Sequence, residues 1–280
     1  MQRPPRSSNR STRRQYLRRV GGVAGAAGLA TTAGCLGLRD ELSSPPTAIG
    51  GTAASDVNAV DHDAFTEFVD RQRDQYGDHG VWGIGRTEPD HGAEFAGAWT
   101  RTVGLDSDGN PVPQPDSAGG LRAVADAAVV AYGVPERNEA ETQYYQLWLW
   151  AAARLPGEHD DGLLAATPGL RSVEVGVGLE GADPEMGPYT PGSDRSEGPV
   201  TVSATSPDVD GPSASFPLES GTVRVVPERT GFDDNAYGVE WRGDTTAARS
   251  VAGSCEASWS ADSAPTFDLT VRVAADRRRL

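Results

Sequence analysis

The chain has 280 residues, among them 25 arginines, 40 aspartates and glutamates, and no lysine. The absence of lysine excludes a P-loop nucleotide site, a Schiff-base enzyme and a lysine-dependent catalytic dyad. Because proteins contact nucleic-acid phosphates mainly through Lys and Arg, the excess of acid also argues against nucleic-acid binding.

The first 35 residues have the pattern of an export signal. The basic segment reads Thr12-Arg13-Arg14-Gln15-Tyr16-Leu17-Arg18, and fifteen uncharged residues, 20 to 34, lead to Cys35. Those fifteen residues are too few to cross a hydrocarbon core about 30 Å thick, which needs about 20. A basic segment, a short apolar segment and small residues before a cleavage point are typical of a signal peptide.

The paired Arg13 and Arg14 resemble the twin-arginine signal, Ser/Thr-Arg-Arg-x-Phe-Leu-Lys, with Tyr16 in place of Phe and Arg18 in place of Lys. The run Thr32-Ala33-Gly34-Cys35 resembles a lipobox, with Thr where Leu is usual. The resemblance is to a twin-arginine-exported lipoprotein and covers about an eighth of the chain. It implies export through the twin-arginine machinery, lipid attachment at Cys35 and a mature protein anchored on the extracellular face of the membrane.

The charges divide sharply at Cys35. Residues 1–34 carry seven arginines and no acid, whereas residues 35–280 carry 18 arginines and 40 acids, a net charge of −22. Self-repulsion of that size strains a compact state, but at molar ionic strength the Debye length falls to about 3 Å and the repulsion is largely screened. An acidic, lysine-free chain behind such a leader resembles the surface lipoproteins of halophilic archaea, a compositional resemblance that implies no particular activity.

Residues 35–55 are predicted to form a flexible tether, because they are rich in Gly, Ser, Thr, Pro and Ala. The domain itself is expected at residues 56–280. It begins with a predicted helix that Asp61 caps, and one side of this helix carries Phe65, Phe68, Val69 and Tyr76.

After this helix, short apolar alternations are separated by Gly, Pro and Asp, which predicts strands and turns. The expected strands are residues 81–86, 94–105, 172–179, 200–205, 222–226, 237–241, 251–259 and 267–273. Many strands with turn signals at short intervals indicate a mainly β fold. We expect sandwich-like antiparallel sheets, or a barrel, with one N-terminal helix.

The segment from Thr142 to Leu155 fits two structures. As a strand it places Leu147 and Leu149 on one face; as a helix it begins at Asn138, with Glu141 three residues later in a near capping box. The alternation of aromatic and aliphatic residues favours a strand that forms a hairpin with residues 121–132.

In the strand interpretation, one face of this segment carries Tyr144, Trp148 and Trp150. Exposed aromatic rings stack on sugars and anchor protein interfaces, so these three residues form a candidate binding surface. The structural alternative is that they pack against the helix near residue 68 or against a second sheet.

The metal-binding patterns are weak. An acid precedes each histidine (His62, His79, His91 and His159), but no pair has the i, i+2 or i, i+4 spacing of a familiar metal motif. The run Asp106, Asp108, Asn110 lacks the Gly and Glu positions of an EF-hand loop, and a hairpin turn explains it better. We therefore expect no metal and no cofactor.

Two further patterns are interpreted as structural. The run Gly176-Val177-Gly178-Leu179-Glu180-Gly181 matches the dinucleotide fingerprint as a string, but no helix pattern follows it. Cys255 follows Ser254 within a predicted strand and is expected to be a buried thiol rather than a nucleophile. If Cys35 carries lipid, Cys255 has no partner for an internal disulfide.

These patterns favour a lipid-anchored surface protein that binds or scaffolds without catalytic chemistry, although its ligand and protein partner are not specified by the sequence. Two alternatives stay open. A secreted hydrolase requires a site hidden among the 40 acids, such as the paired carboxylates of a glycosidase. A solute-binding lipoprotein for transport requires two α/β lobes around a cleft.

Overall fold

A computed structural model of the chain describes residues 40–43, 47–52, 59–76, 93–106, 111–112, 121–156, 167–203 and 213–278. Helix α1 spans His62–Tyr76. The strands are β1 (Asp40–Ser43), β2 (Thr47–Thr52), β3 (Ala59–Val60), β4 (Glu94–Leu105), β5 (Pro111–Val112), β6 (Ala123–Gly133), β7 (Thr142–Arg154), β8 (Thr167–Glu180), β9 (Glu185–Thr190), β10 (Pro199–Ser203), β11 (Ser213–Pro217), β12 (Thr222–Val225), β13 (Ala236–Thr245), β14 (Arg249–Ser260) and β15 (Thr266–Arg278).

The strands form two large antiparallel sheets and a small ribbon. Sheet I has the order β1, β15, β8, β13, β12, with β2 also paired to β15. Sheet II has the order β3, β4, β6, β7, β14, β9, with β5 also paired to β4, and β10 pairs with β11. The predicted mainly β, sandwich-like fold with one N-terminal helix is confirmed.

The sheets bury their facing sides against each other. In β15 the alternating Phe267, Leu269, Val271 and Val273 are all buried, as their period-two spacing predicts. Across the sandwich, the rings of Trp99 and Phe267 meet edge to face with centroids 4.7 Å apart. The Tyr237 ring lies so close to Gly253 that a Cβ atom there would be 2.7 Å from it, so only glycine fits this position.

Helix α1 covers the opposite side of sheet II, the side that faces away from sheet I. The carboxylate of Asp61 caps the helix by accepting a hydrogen bond of 2.9 Å from the Ala64 N–H, as predicted. The helix residues Phe65, Phe68 and Val69 are buried. No helix in the described part of the chain is long and apolar enough to cross a membrane.

A buried carboxylate fixes the end of the helix to the sheet. Asp126 of β6 accepts hydrogen bonds from Gln75 Nε2 at 2.9 Å, Tyr76 Oη at 2.7 Å and Thr102 Oγ1 at 2.6 Å. Burial and the adjacent Asp126 raise the pKa of Tyr76. Three donors compensate the desolvation of this buried carboxylate, so the network is a structural attachment of helix to sheet.

The chain before the helix differs from the expected tether. Two stretches of residues 35–55 form β1 and β2, and both pair with β15 at the edge of sheet I. An edge strand requires only backbone hydrogen bonds to its neighbour, so a composition of small and polar residues did not reveal it. At residues 40–43 and 47–52 the chain is part of the sheet rather than a tether.

Candidate functional site

The predicted aromatic surface is not a surface. The segment is strand β7, paired with β6 as expected, but Trp148 and Trp150 are fully buried. Phe68 and Tyr76 of helix α1 meet the Trp150 ring edge to face, with centroids 6.1 and 5.9 Å away. The binding interpretation is therefore wrong for both indoles, because helix α1 covers the face that carries them.

Tyr144 of the same candidate set has a different environment. It is half-buried at the start of β7, and the guanidinium of Arg137 lies 4.7 Å from its ring centroid. This distance fits a cation–π contact within the fold. Of the three predicted residues, Trp148 and Trp150 are therefore buried under the helix, whereas Tyr144 takes part in a local cation–π contact.

A hollow of about 970 Å³ lies instead on sheet I. It opens on the side of the sheet that faces away from sheet II, because alternate residues of β8, β13 and β15 point into the core and the others point outward. Its lining consists of Arg171, Ser172, Glu174, Arg224, Val226, Glu228, Arg229, Glu240, Arg242, Gly243, Arg272, Val273 and Ala274. Five of these residues are arginines, a local excess of cations in a stretch, residues 35–280, whose net charge is −22.

One row of charges crosses four adjacent strands beneath the hollow. Arg272 of β15 lies opposite Glu174 of β8, Glu174 lies opposite Glu240 of β13, and Glu240 lies opposite Arg224 of β12. Two carboxylates directly opposite each other repel and destabilise a sheet. Both are also buried, at 3% and 4% exposure, so each needs a cationic partner.

Each buried glutamate has one inner and one outer arginine. Glu174 contacts Arg229 at 2.9 Å and Arg272 at 3.6 Å, and Glu240 contacts Arg224 at 2.7 Å and Arg242 at 2.9 Å. The side chains of the inner arginines, Arg229 and Arg224, are 27% and 28% exposed. Those of the outer arginines, Arg272 and Arg242, are 42% and 57% exposed.

The next row of sheet I forms a low floor beside this one. Arg242 of β13 lies opposite Ser172 of β8, and Ser172 lies opposite Ala274 of β15. This row therefore has small side chains on two of its three strands. Arg171 stands at the rim, with its guanidinium 2.6 Å from the Asp244 carboxylate. The row of small residues explains why the sheet surface is hollow at this position.

Burial raises the pKa of Glu174 above its ordinary value of 4.5, and the charge of Glu240 adds to this, while Arg229 and Arg272 oppose it. At pH values between the ordinary and the raised pKa, Glu174 holds a proton in the folded protein that it has released in the unfolded chain. The stability that Glu174 contributes is therefore full below about pH 4.5 and is lost as the pH rises through the folded pKa.

We expect this titration to disappear in Glu174→Gln. The melting temperature of wild type minus that of the variant should fall as the pH is raised from about 4 to about 7. The carboxyl of Glu180, whose pKa is also raised, is present in both proteins and cancels in the difference. A difference that is constant across this range would show that Glu174 titrates normally.

A repeated corner holds the inner arginine in place. The string Val-Pro-Glu-Arg occurs at 134–137 after β6 and at 226–229 after β12, and each copy forms a 3-10 turn. In both, the valine N–H donates to a carbonyl across the hairpin at 2.9 Å, that of Tyr144 in one and of Gly238 in the other. Each arginine then reaches over the next strand to a glutamate: Arg137 to Glu256 at 2.5 Å and Arg229 to Glu174 at 2.9 Å.

The two copies differ in their surrounding charges. In sheet II, Gln146 lies opposite Glu256, at the position that Glu240 occupies opposite Glu174 in sheet I. Tyr132 takes the place of Arg224, and Gly187 lies beside Glu256 where sheet I has Arg272. The hairpin thus forms with a single ion pair in sheet II, so Glu240 and the additional arginines of sheet I are not required to build it.

The remaining predicted sites fall into two groups. Cys255 is a fully buried free cysteine on β14, and burial raises the pKa of its thiol, so it is the inert thiol that was expected. Gly176 and Gly178 lie within strand β8, which confirms that the fingerprint match is fortuitous. The strands on either side of residues 106–110 pair as a hairpin, as predicted.

Of the other candidates, only His62 lies within the described residues. Those outside them are Arg13, Arg14, Cys35, His79, His91, His159 and the predicted strand 81–86. His62 lies at the start of helix α1, with its ring 5.3 Å from that of Phe95. Among the described residues, no group of three or more His, Cys, Asp or Glu side chains is arranged to hold a metal ion.

Comparison with known protein families and with curated proteins finds no match. Among solved structures, Clostridium perfringens delta-toxin is similar over 65% of this chain and 74% of its own, with 11% sequence identity and a TM-score of 0.31. A likeness at that score carries no argument about this chain, and the site must be interpreted from its own geometry.

Proposed function

We propose that the protein is a lipid-anchored module on the extracellular face of a halophile membrane, and that it acts by binding, without catalytic chemistry. The leader and Cys35 support the anchor, and the net charge of −22 supports the saline environment. The arginine-lined hollow of sheet I is its proposed binding face, in place of the aromatic face expected from the sequence.

The observation that carries the binding assignment is the ion pairing beneath the hollow. Both carboxylates at its centre are almost fully buried, and each has two guanidinium partners. A carboxylate that acts as general acid, base or nucleophile must reach the reacting atoms of a substrate. Arginines with 42% and 57% exposed side chains are instead suited to hold a ligand at the surface.

One observation favours a second function, glycoside hydrolysis. Glu174 and Glu240 are directly opposed on neighbouring strands, and the pKa of Glu174 is raised, as in the carboxyl pairs of glycosidases. Release of reducing ends from polysaccharides by wild type, and its loss in Glu174→Gln, would favour this function over binding. Ion pairing and burial of both groups make binding the better supported function.

The anchor is tested by replacing the proposed lipid-bearing residue. We expect Cys35→Ala to release the protein from the membrane fraction or to block its maturation, because an alanine side chain has no thiol for the lipid. The measurement is fractionation of cells that express each form, with immunoblotting for position and mobility. Equal membrane retention and equal mobility of the two forms would refute lipidation.

The same fractionation tests the export route with a charge-preserving change. Replacing both Arg13 and Arg14 with Lys should trap full-length precursor in the cytoplasm, because the twin-arginine pattern depends on the arginine pair rather than on charge alone. As a matched control, Arg3 and Arg6 are both replaced with Lys, which makes the same change in the basic N-terminal region but outside the twin-arginine motif. Normal delivery of the Arg13/Arg14 variant would exclude this route.

A further inference from the structure

The charge balance of the hollow separates its arginines by role. Arg229 neutralises Glu174 and Arg224 neutralises Glu240, at 2.9 and 2.7 Å and with the lower exposure of each pair. Arg242 and Arg272 add two positive charges that the buried glutamates do not need. Sheet II supports this division, because its copy of the hairpin has one glutamate, one arginine and no outer cations around Glu256 among the described residues.

We propose that Arg242 and Arg272 bind an oxyanion ligand, bearing carboxylate or sulfate groups, above the floor formed by Ser172 and Ala274. This inference rests on the proposed binding function and specifies the ligand chemistry of that site. The two arginines lie on β13 and β15 with β8 between them, and Arg242 is level with Ala274, two residues along from Arg272. Their backbones are therefore about 10 Å apart across the strands and about 7 Å apart along them. Long side chains on both sides can then converge on a group held over the small residues.

The donors of both outer arginines suit this role. The contact between Arg272 Nη1 and Glu174 Oε2 is 3.6 Å, too long for a hydrogen bond, so it is an electrostatic contact only. Arg242 contacts Glu240 through Nε at 2.9 Å, and within the described ranges no contact engages its terminal nitrogens. A guanidinium offers a planar pair of N–H groups that matches a carboxylate or sulfate with two hydrogen bonds.

The size of the hollow indicates a ligand larger than a single ion. Small-molecule sites are commonly about 300–1,000 Å³, and this hollow, about 970 Å³, lies at the upper end of that range. Its lining is polar and, in the part of the chain that the structure describes, includes no aromatic side chain. Recognition would therefore depend on charged hydrogen bonds, which act at contact distance and persist where salt screens longer-range attraction.

The test is direct binding of two probe anions, sulfate and citrate, to the full-length protein. The protein is purified in detergent, and calorimetric titration is done at a constant ionic strength of about 2 M with KCl, so that general screening does not change. Binding is measured rather than melting temperature, because both anions also stabilise folded proteins by exclusion from their surface. We expect saturable binding of at least one probe at one site.

The key variant is Arg242→Gln with Arg272→Gln. It leaves Glu240 with Arg224 and Glu174 with Arg229, so each buried carboxylate keeps a partner and the fold is expected to persist. Affinity should fall about tenfold or more, since two charged hydrogen-bonding groups are lost. The matched control removes the same charge from the exposed Arg71 and Arg73 of helix α1 and should bind as wild type does.

A second variant guards against a folding defect. Arg242→Lys with Arg272→Lys preserves the charge but removes the planar forks, and it should also bind more weakly than wild type. Saturation by citrate alone assigns a carboxylate ligand, saturation by sulfate alone assigns a sulfate ester, and both support the shared oxyanion chemistry. The proposal is overturned if wild type binds neither probe, or if the glutamine and lysine variants both bind like wild type.

This outcome is independent of the test of the anchor. If Cys35→Ala stays in the membrane fraction as wild type does and oxyanion binding is intact, the proposed location is wrong and the proposed site stands. Membrane release without oxyanion binding would remove the ligand class and leave the surface lipoprotein.

Discussion

Replacing Trp150 with alanine is expected to lower the free energy of unfolding by about 3–5 kcal/mol, the usual cost of truncating a large buried aromatic side chain. Trp150 is fully buried in β7, between the two neighbouring strands β6 and β14. Phe68 and Tyr76 of helix α1 pack edge to face against its indole. The truncation therefore opens a cavity where the helix docks and removes the contacts that hold it there.

Chemical denaturation at constant molar salt measures this loss. Trp148→Ala, on the same face and equally buried, should cost a similar amount. Phe232→Ala is the matched aromatic control, because Phe232 is 56% exposed and its loss should change stability by about 0.5 kcal/mol or less. If Trp150→Ala were as stable as Phe232→Ala, the indole would have to lie at the surface.

Lowering the salt concentration from molar to about 0.1 M is expected to unfold or expand the protein, because the Debye length grows from about 3 to about 10 Å. Each of the 22 excess negative charges of residues 35–280 then repels several neighbouring charges rather than only the nearest. The cluster of arginines on sheet I neutralises only the acids next to it, and it leaves most of this repulsion in place.

Melting curves across a KCl series measure the effect. An internal control is the same series at about pH 4, where many carboxyls are protonated and the charge to be screened is smaller. The dependence on salt should then weaken. A melting temperature that does not change with salt at neutral pH would contradict the adaptation to brine.

The elements of the fold were predictable where the local pattern determines them. β4 occupies the predicted residues 94–105, Asp61 caps the predicted helix, and residues 121–132 and 142–155 form the predicted hairpin. Alternation places Leu149 and Trp150 on opposite faces of β7, and the structure agrees. Alternation does not reveal whether the second face is covered, and that depends on Phe68 and Tyr76, more than sixty residues earlier in the chain.

The hollow was not predictable for a related reason. Glu174, Arg224, Glu240 and Arg272 are spread over about a hundred residues and meet only through the register of four strands. Among 25 arginines and 40 acids, none of them stands out. The repeated Val-Pro-Glu-Arg string is a stronger signal, because aligning the chain with itself would have indicated two equivalent corners from the sequence alone.

These two corners separate the parts of the molecule that set its shape from those that set its surface chemistry. The corner at 226–229 orients the hairpin through its own backbone, whereas residues 242 and 272 project from regular strands. A protein engineer can therefore vary the side chains at those two positions, as a library on a rigid scaffold, without redesigning a turn or removing the inner arginines. The equivalent face of sheet II, already closed by helix α1, offers no such freedom.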